Sequence, residues 1–169
     1  MSKAFTRESD DGIDDSPARS YGAELPPGAR NYATPAGAAR QRDEVERLTN
    51  VDRPALIASA DTRALHELDR RLAFLRRRIE ALEIVDPASQ PPGIVLFGAT
   101  IVLRDEDGKE RTCRIVGVDE ANPARGDVSW VSPLAKALLG AKVGEVVTVR
   151  SPRGDEEIEV IEIGYRGGE

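Results

Sequence analysis

Cysteine, histidine and tryptophan each occur once in this chain of 169 residues, and aromatic residues make up only 4% of it. The lone Cys113 excludes an internal disulfide, and the lone His66 excludes a His-rich metal site. A Ser-His-Asp enzyme would have to use His66, which is badly placed for it. Long apolar runs are missing too. None approaches the ~18 residues of a membrane span, so an integral membrane protein is excluded and no membrane partner is expected. No apolar stretch of secretory type opens the chain, so cytoplasm is the expected compartment. Positive charge is in the minority: Lys+Arg 24 against Asp+Glu 30 leave a net charge of -6. That balance argues against broad binding to duplex DNA. What is present, 32% charged residues and a mean hydropathy of -0.40, describes a soluble protein of one ordinary domain or two small ones.

Residues 1–30 hold only Ile13 and Leu25 as branched aliphatics and carry the acidic run Glu8-Ser9-Asp10-Asp11-Gly12-Ile13-Asp14-Asp15. So little apolar surface cannot offset the entropy of ordering, and a disordered acidic tail is predicted. A calcium loop is not, because the bidentate Glu at position 12 of such a loop is absent. Order should begin at Asn31-Tyr32. Thr34-Pro35 reads as a helix start, a hydroxyl cap followed by proline at the first helical position. The helix over 36–57 has a thin seam of Ala38, Val45 and Leu48, and Pro54 should kink or break it. The next helix is clearer. Leu65, Leu68, Leu72, Leu75, Ile79 and Leu82 recur at spacings of 3 and 4, a coiled-coil seam. Ser59 or Asp61 can cap its start, and it should run to about Glu83. Only 58–61 separate the two helices, so they should fold back as an antiparallel hairpin over 31–85. His66 lies one position after the seam residue Leu65, with no serine or cysteine within helical reach, and reads as a partly exposed helix residue.

Beyond a stiff linker at 86–93 with Pro87, Pro91, Pro92 and Gly93, the period changes to that of strands. Strands are predicted at 94–97, 100–104, 110–118, 128–131, 145–149 and 156–165. Glu106-Asp107-Gly108 marks a hairpin turn, and Ser132-Pro133 starts a short helix that Gly140 ends. The fold class is therefore α+β: an antiparallel helical hairpin followed by an antiparallel β domain over 94–165 with one short helix. Cys113 and Trp130 read as core residues.

Several segments, in collinear order, resemble the GreA/GreB transcription elongation factor family. They are Ser132-Pro133-Leu134-Ala135-Lys136-Ala137-Leu138-Leu139-Gly140-Ala141-Lys142-Val143-Gly144-Glu145-Val146, Arg114-Ile115-Val116-Gly117-Val118-Asp119-Glu120 and Val95-Leu96-Phe97-Gly98-Ala99. In the arms, Asn31-Tyr32-Ala33-Thr34-Pro35-Ala36-Gly37, Asp52-Arg53-Pro54, Leu68-Asp69-Arg70-Arg71-Leu72 and Leu82-Glu83-Ile84-Val85-Asp86 are similar to GreB. The resemblance implies a bacterial, cytoplasmic, monomeric protein with a coiled coil and a C-terminal domain of FKBP-like topology. In such proteins the β domain binds the rim of the RNA polymerase secondary channel and the coiled coil enters it. It also implies a polymerase-facing region containing Asp119, Glu120, Ser132 and Pro133.

One family feature is missing. GreA and GreB carry an acidic motif of the type Gly-Asp-x-x-Glu-Asn-Ala-(Asp/Glu)-Tyr at the hairpin tip, whose carboxylates help hold the second Mg²⁺ of the polymerase and orient water to cut backtracked RNA. Here Ala55-Leu56-Ile57-Ala58-Ser59-Ala60-Asp61-Thr62-Arg63 spans the turn. Asp61 and, further back, Asp52 are the candidates near the turn, with the acidic N-terminal tail as a further source of carboxylates, and each arm is about two turns short, a loss of ~10 Å of reach. No catalytic residue, metal or cofactor of its own is therefore expected, nor sequence-specific DNA binding. The expected function is a non-enzymatic factor that docks on core RNA polymerase and modulates elongation without strong cleavage. The alternatives are a genuine GreB-type cleavage factor using the polymerase Mg²⁺, a relative of the nucleoside diphosphate kinase regulators, and a prolyl isomerase or chaperone. The last needs an aromatic-lined pocket, for which only Phe97, Trp130 and Tyr165 are available after residue 90. The arginines of the second helix have RNA, an acidic wall, or Glu44 and Glu46 as possible partners.

The tail composition yields a direct test. Deleting residues 1–30 should leave the thermal midpoint nearly unchanged; a fall of several degrees would mean that the segment packs on the body.

Overall fold

The computed structural model describes residues 25–152 and 154–165. The acidic run at 8–15 lies outside the described residues. The chain enters through a turn closed by the Ala29 N–H on the Pro26 carbonyl at 2.9 Å. It then forms a short strand β1 (Asn31–Ala33), helix α1 (Pro35–Arg47), π-type turns over Leu48–Asp52 and helix α2 (Arg53–Ala58). Thr34 caps α1 as predicted, its hydroxyl accepting the Gly37 N–H at 3.0 Å. Pro54 brings no N–H to the helix and crowds the carbonyl one turn back. The expected kink or break takes the form of a widened turn: the helix widens ahead of the proline, the Arg53 N–H reaching the Leu48 carbonyl, and then resumes as α2.

After a turn at residues 59–61, α3 (Thr62–Glu80) returns along α1 and α2. Of the two candidate caps it uses Asp61, which accepts the Ala64 N–H at 3.0 Å. Its seam packs Leu72 and Leu75 against Leu48, with Val45, Leu68 and Phe74 alongside. The seam is shorter than its spacing predicts. The helix ends at Glu80, and Leu82 lies in a strand, β2 (Leu82–Ile84). Strand β2 pairs in parallel with β1, Asn31 opposite Leu82 and Ala33 opposite Ile84. Neither strand was predicted, because three residues are too few to display a period. This two-stranded clasp joins the ends of the arm and forms its base.

The predicted linker also differs. Val85 packs on the β-domain core, and Pro87, which opens a 3₁₀ turn (Pro87–Ser89), is buried. The linker is therefore anchored at Pro87, while residues 91–93 are exposed. Residues 94–97 do not form a strand. They make one antiparallel bridge, Ile94 with Lys142, and their N–H groups find separate partners: Val95 donates to the Ala141 carbonyl and Leu96 to the Tyr165 hydroxyl.

The main sheet has the order β5-β4-β3-β7-β6, comprising β3 (Thr100–Asp105), β4 (Glu110–Val116), β5 (Asp127–Ser129), β6 (Val146–Ser151) and β7 (Gly154–Gly164). Alternation decides which face is buried. Ile101 and Leu103 of β3, Cys113 and Ile115 of β4, and Ile158 and Val160 of β7 point to one side, where α4 (Pro133–Leu138) contributes Ala135 and Leu138. A register shift between Val102 and Leu103 leaves Ile161 as an extra residue in β7, a bulge that keeps Ile163 packed on the core. The sheet is not wholly antiparallel as predicted. The polar segment after β4 folds into 3₁₀ turns at Val118–Glu120 and Pro123–Arg125 and brings β5 back parallel to β4. Strand β5 also stops at Ser129, so Trp130 lies beyond it. Cys113 is buried as predicted, which pushes its thiol up to about 11.

Tyr165 closes the domain. Its hydroxyl donates to the Ile94 carbonyl at 2.5 Å and accepts the Leu96 N–H at 2.8 Å, joining the chain beyond β7 to the irregular entry segment. Tyr165→Phe strands both backbone groups in a partly buried place, which costs about 1–3 kcal/mol. Urea unfolding should show that loss with an unchanged slope.

Candidate functional site

The sequence candidates fall in three places. At the turn of the arm, Asp61 is exposed and engaged in capping α3. Asp52 lies in the π-type turns, its carboxylate 2.6 Å from the Arg47 guanidinium. Each acid therefore has a local structural partner. Among the described residues no group of three or more His, Cys, Asp and Glu is placed to hold a metal ion. A cleft of about 530 Å³ lies between the helices here, lined by Leu48, Ala55, Leu56, Ala64 and Leu68 with charged residues around them. Val51 and Ile57 stand exposed nearby in sequence. The end of the arm is thus apolar with charges of both signs around it, where a shared-metal site needs clustered carboxylates.

Along the arm the arginines divide. Arg71 pairs with Glu44, Arg53 with Asp69 at 2.8 Å, and Arg76 donates to the Thr49 hydroxyl at 3.3 Å. Hydrogen bonding from Arg53 holds the Asp69 carboxyl below its ordinary range. Helix-surface pairing therefore accounts for part of this face; Glu44, not Glu46, is the acid paired with Arg71. His66 is an exposed helix residue as predicted, near Arg63 and Arg70.

The second place is the junction of arm and β domain, where Asp119 and Glu120 lie in the 3₁₀ turn after β4. Glu120 is not an exposed loop acid. Its side chain is 4% exposed. One oxygen, Oε2, accepts the Thr34 N–H at 2.9 Å and the Gly117 N–H at 3.1 Å. The other, Oε1, accepts the Thr34 hydroxyl at 2.5 Å, with Arg40 at 3.5 Å. Three donors on a carboxylate compensate for its removal from water. Asp119 faces the other arm helix. Its side chain, 18% exposed, meets Arg78 at 2.8 Å and accepts a long hydrogen bond from Gln41 at 3.4 Å. Both acids were expected to face a partner. Glu120 instead turns its carboxylate into the molecule, while Asp119 is an exposed residue whose carboxylate is paired with Arg78. The aromatic residues complete this junction. Tyr32 of β1 packs edge-on to Trp130 at 5.2 Å and against Phe97 at 5.6 Å. Two of the three aromatics available for an isomerase pocket therefore hold the arm, and Tyr165 holds the chain entry.

The third place is α4. The Ser132 hydroxyl accepts the Ala135 N–H at 3.2 Å and is half-buried, while Pro133 is exposed. Helix α4 packs against β6. At the start of β6 and in the loop before it, Val146 and Val143 are 60% and 54% exposed. The sequence pattern places Val146 in a strand and assigns no role to it or to Val143; the exposure of Val146 follows from β6 being the sheet edge. Arg78, Gln41, Thr34 and Gly37 were likewise given no part in a junction. The only local signal was a glycine at the third helical position of α1, where a capping glutamate is usual.

The profile of the family described as "Transcription elongation factor, GreA/GreB, C-term" matches residues 90–165. Transcription elongation factor GreB of Neisseria meningitidis serogroup B is 38% identical over 154 residues, covering 80% of this chain and 94% of that one. Transcription elongation factor GreA of Alkalilimnicola ehrlichii is 40% identical over 151 residues, covering 78% and 96%. In the Neisseria match, 80% of 169 residues is about 135, so about 19 of the 154 matched positions belong to the relative alone. The solved structure of a prokaryotic transcription elongation factor GreA/GreB from Nitrosomonas europaea aligns over 80% of this chain and 100% of its own at 21% identity, with a TM-score of 0.40.

Asp119 gives the junction a pH signature. Burial raises its carboxyl above the ordinary value, and the attraction of Arg78 only partly opposes this. A raised folded value means the neutral form suits the fold better. The increment is therefore present below the ordinary Asp pKa of ~3.9 and is lost as pH rises through the folded value. Wild type should accordingly gain stability relative to Asp119→Asn as pH falls through that window, measured by urea unfolding at a series of pH values. A difference independent of pH would show that Asp119 is solvated.

Proposed function

The chain belongs to the GreA/GreB family of transcription elongation factors, and we propose that it docks on core RNA polymerase at the secondary channel and modulates elongation without strongly stimulating transcript cleavage. In this reading the helices over 35–80 are the coiled-coil arm that enters the channel, and the β domain, of FKBP-like topology, holds the rim. Its docking face is the outer side of α4, where Pro133 and Lys136 are exposed near Val143 and Val146. Asp119 and Glu120 act from beneath, by holding the arm.

The observation that carries the reading is the turn of the arm. Asp61 caps α3 and Asp52 pairs with Arg47, so neither offers a free pair of oxygens to a Mg²⁺ shared with the polymerase. A second Mg²⁺ takes carboxylates and waters in near-octahedral geometry, and two separated, committed acids do not fit it. The surplus of about 19 positions in the Neisseria relative agrees with a shortened arm. The protein brings no cofactor of its own and acts as a monomeric regulator in the cytoplasm.

Full-length protein should displace a cleavage-competent GreB from core polymerase, and backtracked complexes incubated with it should release little short RNA. Asp61→Ala should release equally little. Failure to compete at saturating concentration would remove the docking reading. Rapid cleavage by wild type that is lost in Asp61→Ala would establish a genuine cleavage factor.

A further inference from the structure

Helix α1 lacks part of its own N-terminal apparatus. Its cap is Thr34 and its third helical position is Gly37. In a capping box that position carries a Glu or Gln whose side chain reaches back to the N–H of the cap residue. Gly37 has no side chain to do so. The Thr34 N–H is nonetheless satisfied, by Glu120 at 2.9 Å, across 86 positions of sequence. Glu120 occupies the space the missing side chain would fill. A Cβ on Gly37 would lie 2.0 Å from its Cδ and 2.6 Å from its Cγ. The same carboxylate accepts the Gly117 N–H in its own turn, and a Cβ on Gly117 would meet the Tyr32 carbonyl at 2.4 Å. Two glycines thus let the two parts of the chain close on one carboxylate.

We infer that Glu120 is the positioning residue of the arm: it completes the cap of α1 from the β domain, and by doing so fixes the direction in which the arm leaves that domain. The geometry favours orientation over simple adhesion. Thr34 begins α1, so its N–H and hydroxyl lie on the helix axis entry, while Gly117 belongs to the turn that follows β4. Bonds from both to one planar group leave little freedom of rotation between helix and sheet. Arg78 on Asp119 and Tyr32 on Trp130 restrain the same junction from α3 and β1. A rod of α3's length magnifies any tilt at its base, because 19 residues at 1.5 Å span about 28 Å. The consequence for elongation rests on the polymerase reading above; the orientation itself does not.

Spin labels at Ser59→Cys in the arm turn and Lys109→Cys in the β3–β4 hairpin report that orientation in the full chain. Cys113 is buried and stays unlabelled. The parent should give one narrow distance distribution. Glu120→Ala removes the acceptor, and Gly37→Ala displaces it while improving the intrinsic helix propensity of α1. Both should broaden or split the distribution while circular dichroism and the thermal unfolding transition remain those of a folded protein. Glu120→Gln should keep it narrow, because an amide oxygen can still accept the two N–H groups and its NH₂ can donate to the Thr34 hydroxyl. A narrow parental distribution in folded Glu120→Ala would overturn the inference. If that variant does not fold, a narrow distribution in Gly37→Ala overturns it equally. Parallel polymerase assays separate the two readings. Broadening with no polymerase binding by the parent leaves the positioning role standing and removes the docking reading. A narrow distribution with a full transcriptional effect does the reverse.

Discussion

One carboxylate determines how the two halves of this protein meet. Glu120 takes three hydrogen bonds, two from the start of the arm and one from its own turn, in a place almost closed to water. A buried carboxylate with too few donors would cost several kcal/mol, so its environment has to be built around it. That requirement accounts for Thr34 as the cap, for glycine at 37 and 117, and for the close approach of Tyr32 to the β domain. Asp119 beside it faces Arg78 and ties down the second helix of the arm. The turn after β4 thus reaches α1 through both of its consecutive acids and α3 through Asp119.

The remaining charges do less. Pairs such as Arg30–Glu83 and Arg104–Glu110 are well exposed, and pairs of that kind contribute between nothing and about 1 kcal/mol each. The body is held by the apolar side of the sheet, where Ile101, Leu103, Ile115, Ile158 and Val160 are fully buried. The arm has only Leu48, Leu72 and Leu75 in its buried cluster. It is therefore the thinner part, dependent on its base, which is why a short clasp of β1 with β2 and a borrowed cap are concentrated there.

What could be read in advance followed physical periodicity. Leucines at 3 and 4 spacing located α3, alternation located β3, β4 and β7, and local chemistry located the Thr34 cap, the Ser132-Pro133 start and the turn at Gly108. The errors share a cause: each depended on a distant partner. Leu82 extends the leucine spacing but lies in a strand because Asn31 comes to pair with it. Residues 94–97 look like a strand, yet Ala141 and Tyr165 take their N–H groups singly. Asp119-Glu120, two consecutive acids in a loop, look solvated, and nothing near them in sequence announces Thr34 or Arg78.

By itself the sequence determined the elements and the chemistry the arm can offer. Hydrophobic spacing, caps and turns are interactions within a few residues, and the shortage of acids around 52–63 is a matter of composition that no folding can remedy. Only the tertiary structure decided what Asp119 and Glu120 do, that β5 runs parallel to β4, and where Val143 and Val146 remain exposed. Those outcomes depend on which donors and surfaces meet beyond the reach of local pattern, as with Arg114 and Asp127 at a separation of 13, Arg78 and Asp119 at 41, and Thr34 and Glu120 at 86. A carboxylate in isolation is equally suited to water, a metal or a helix cap, and its neighbours in space select among them.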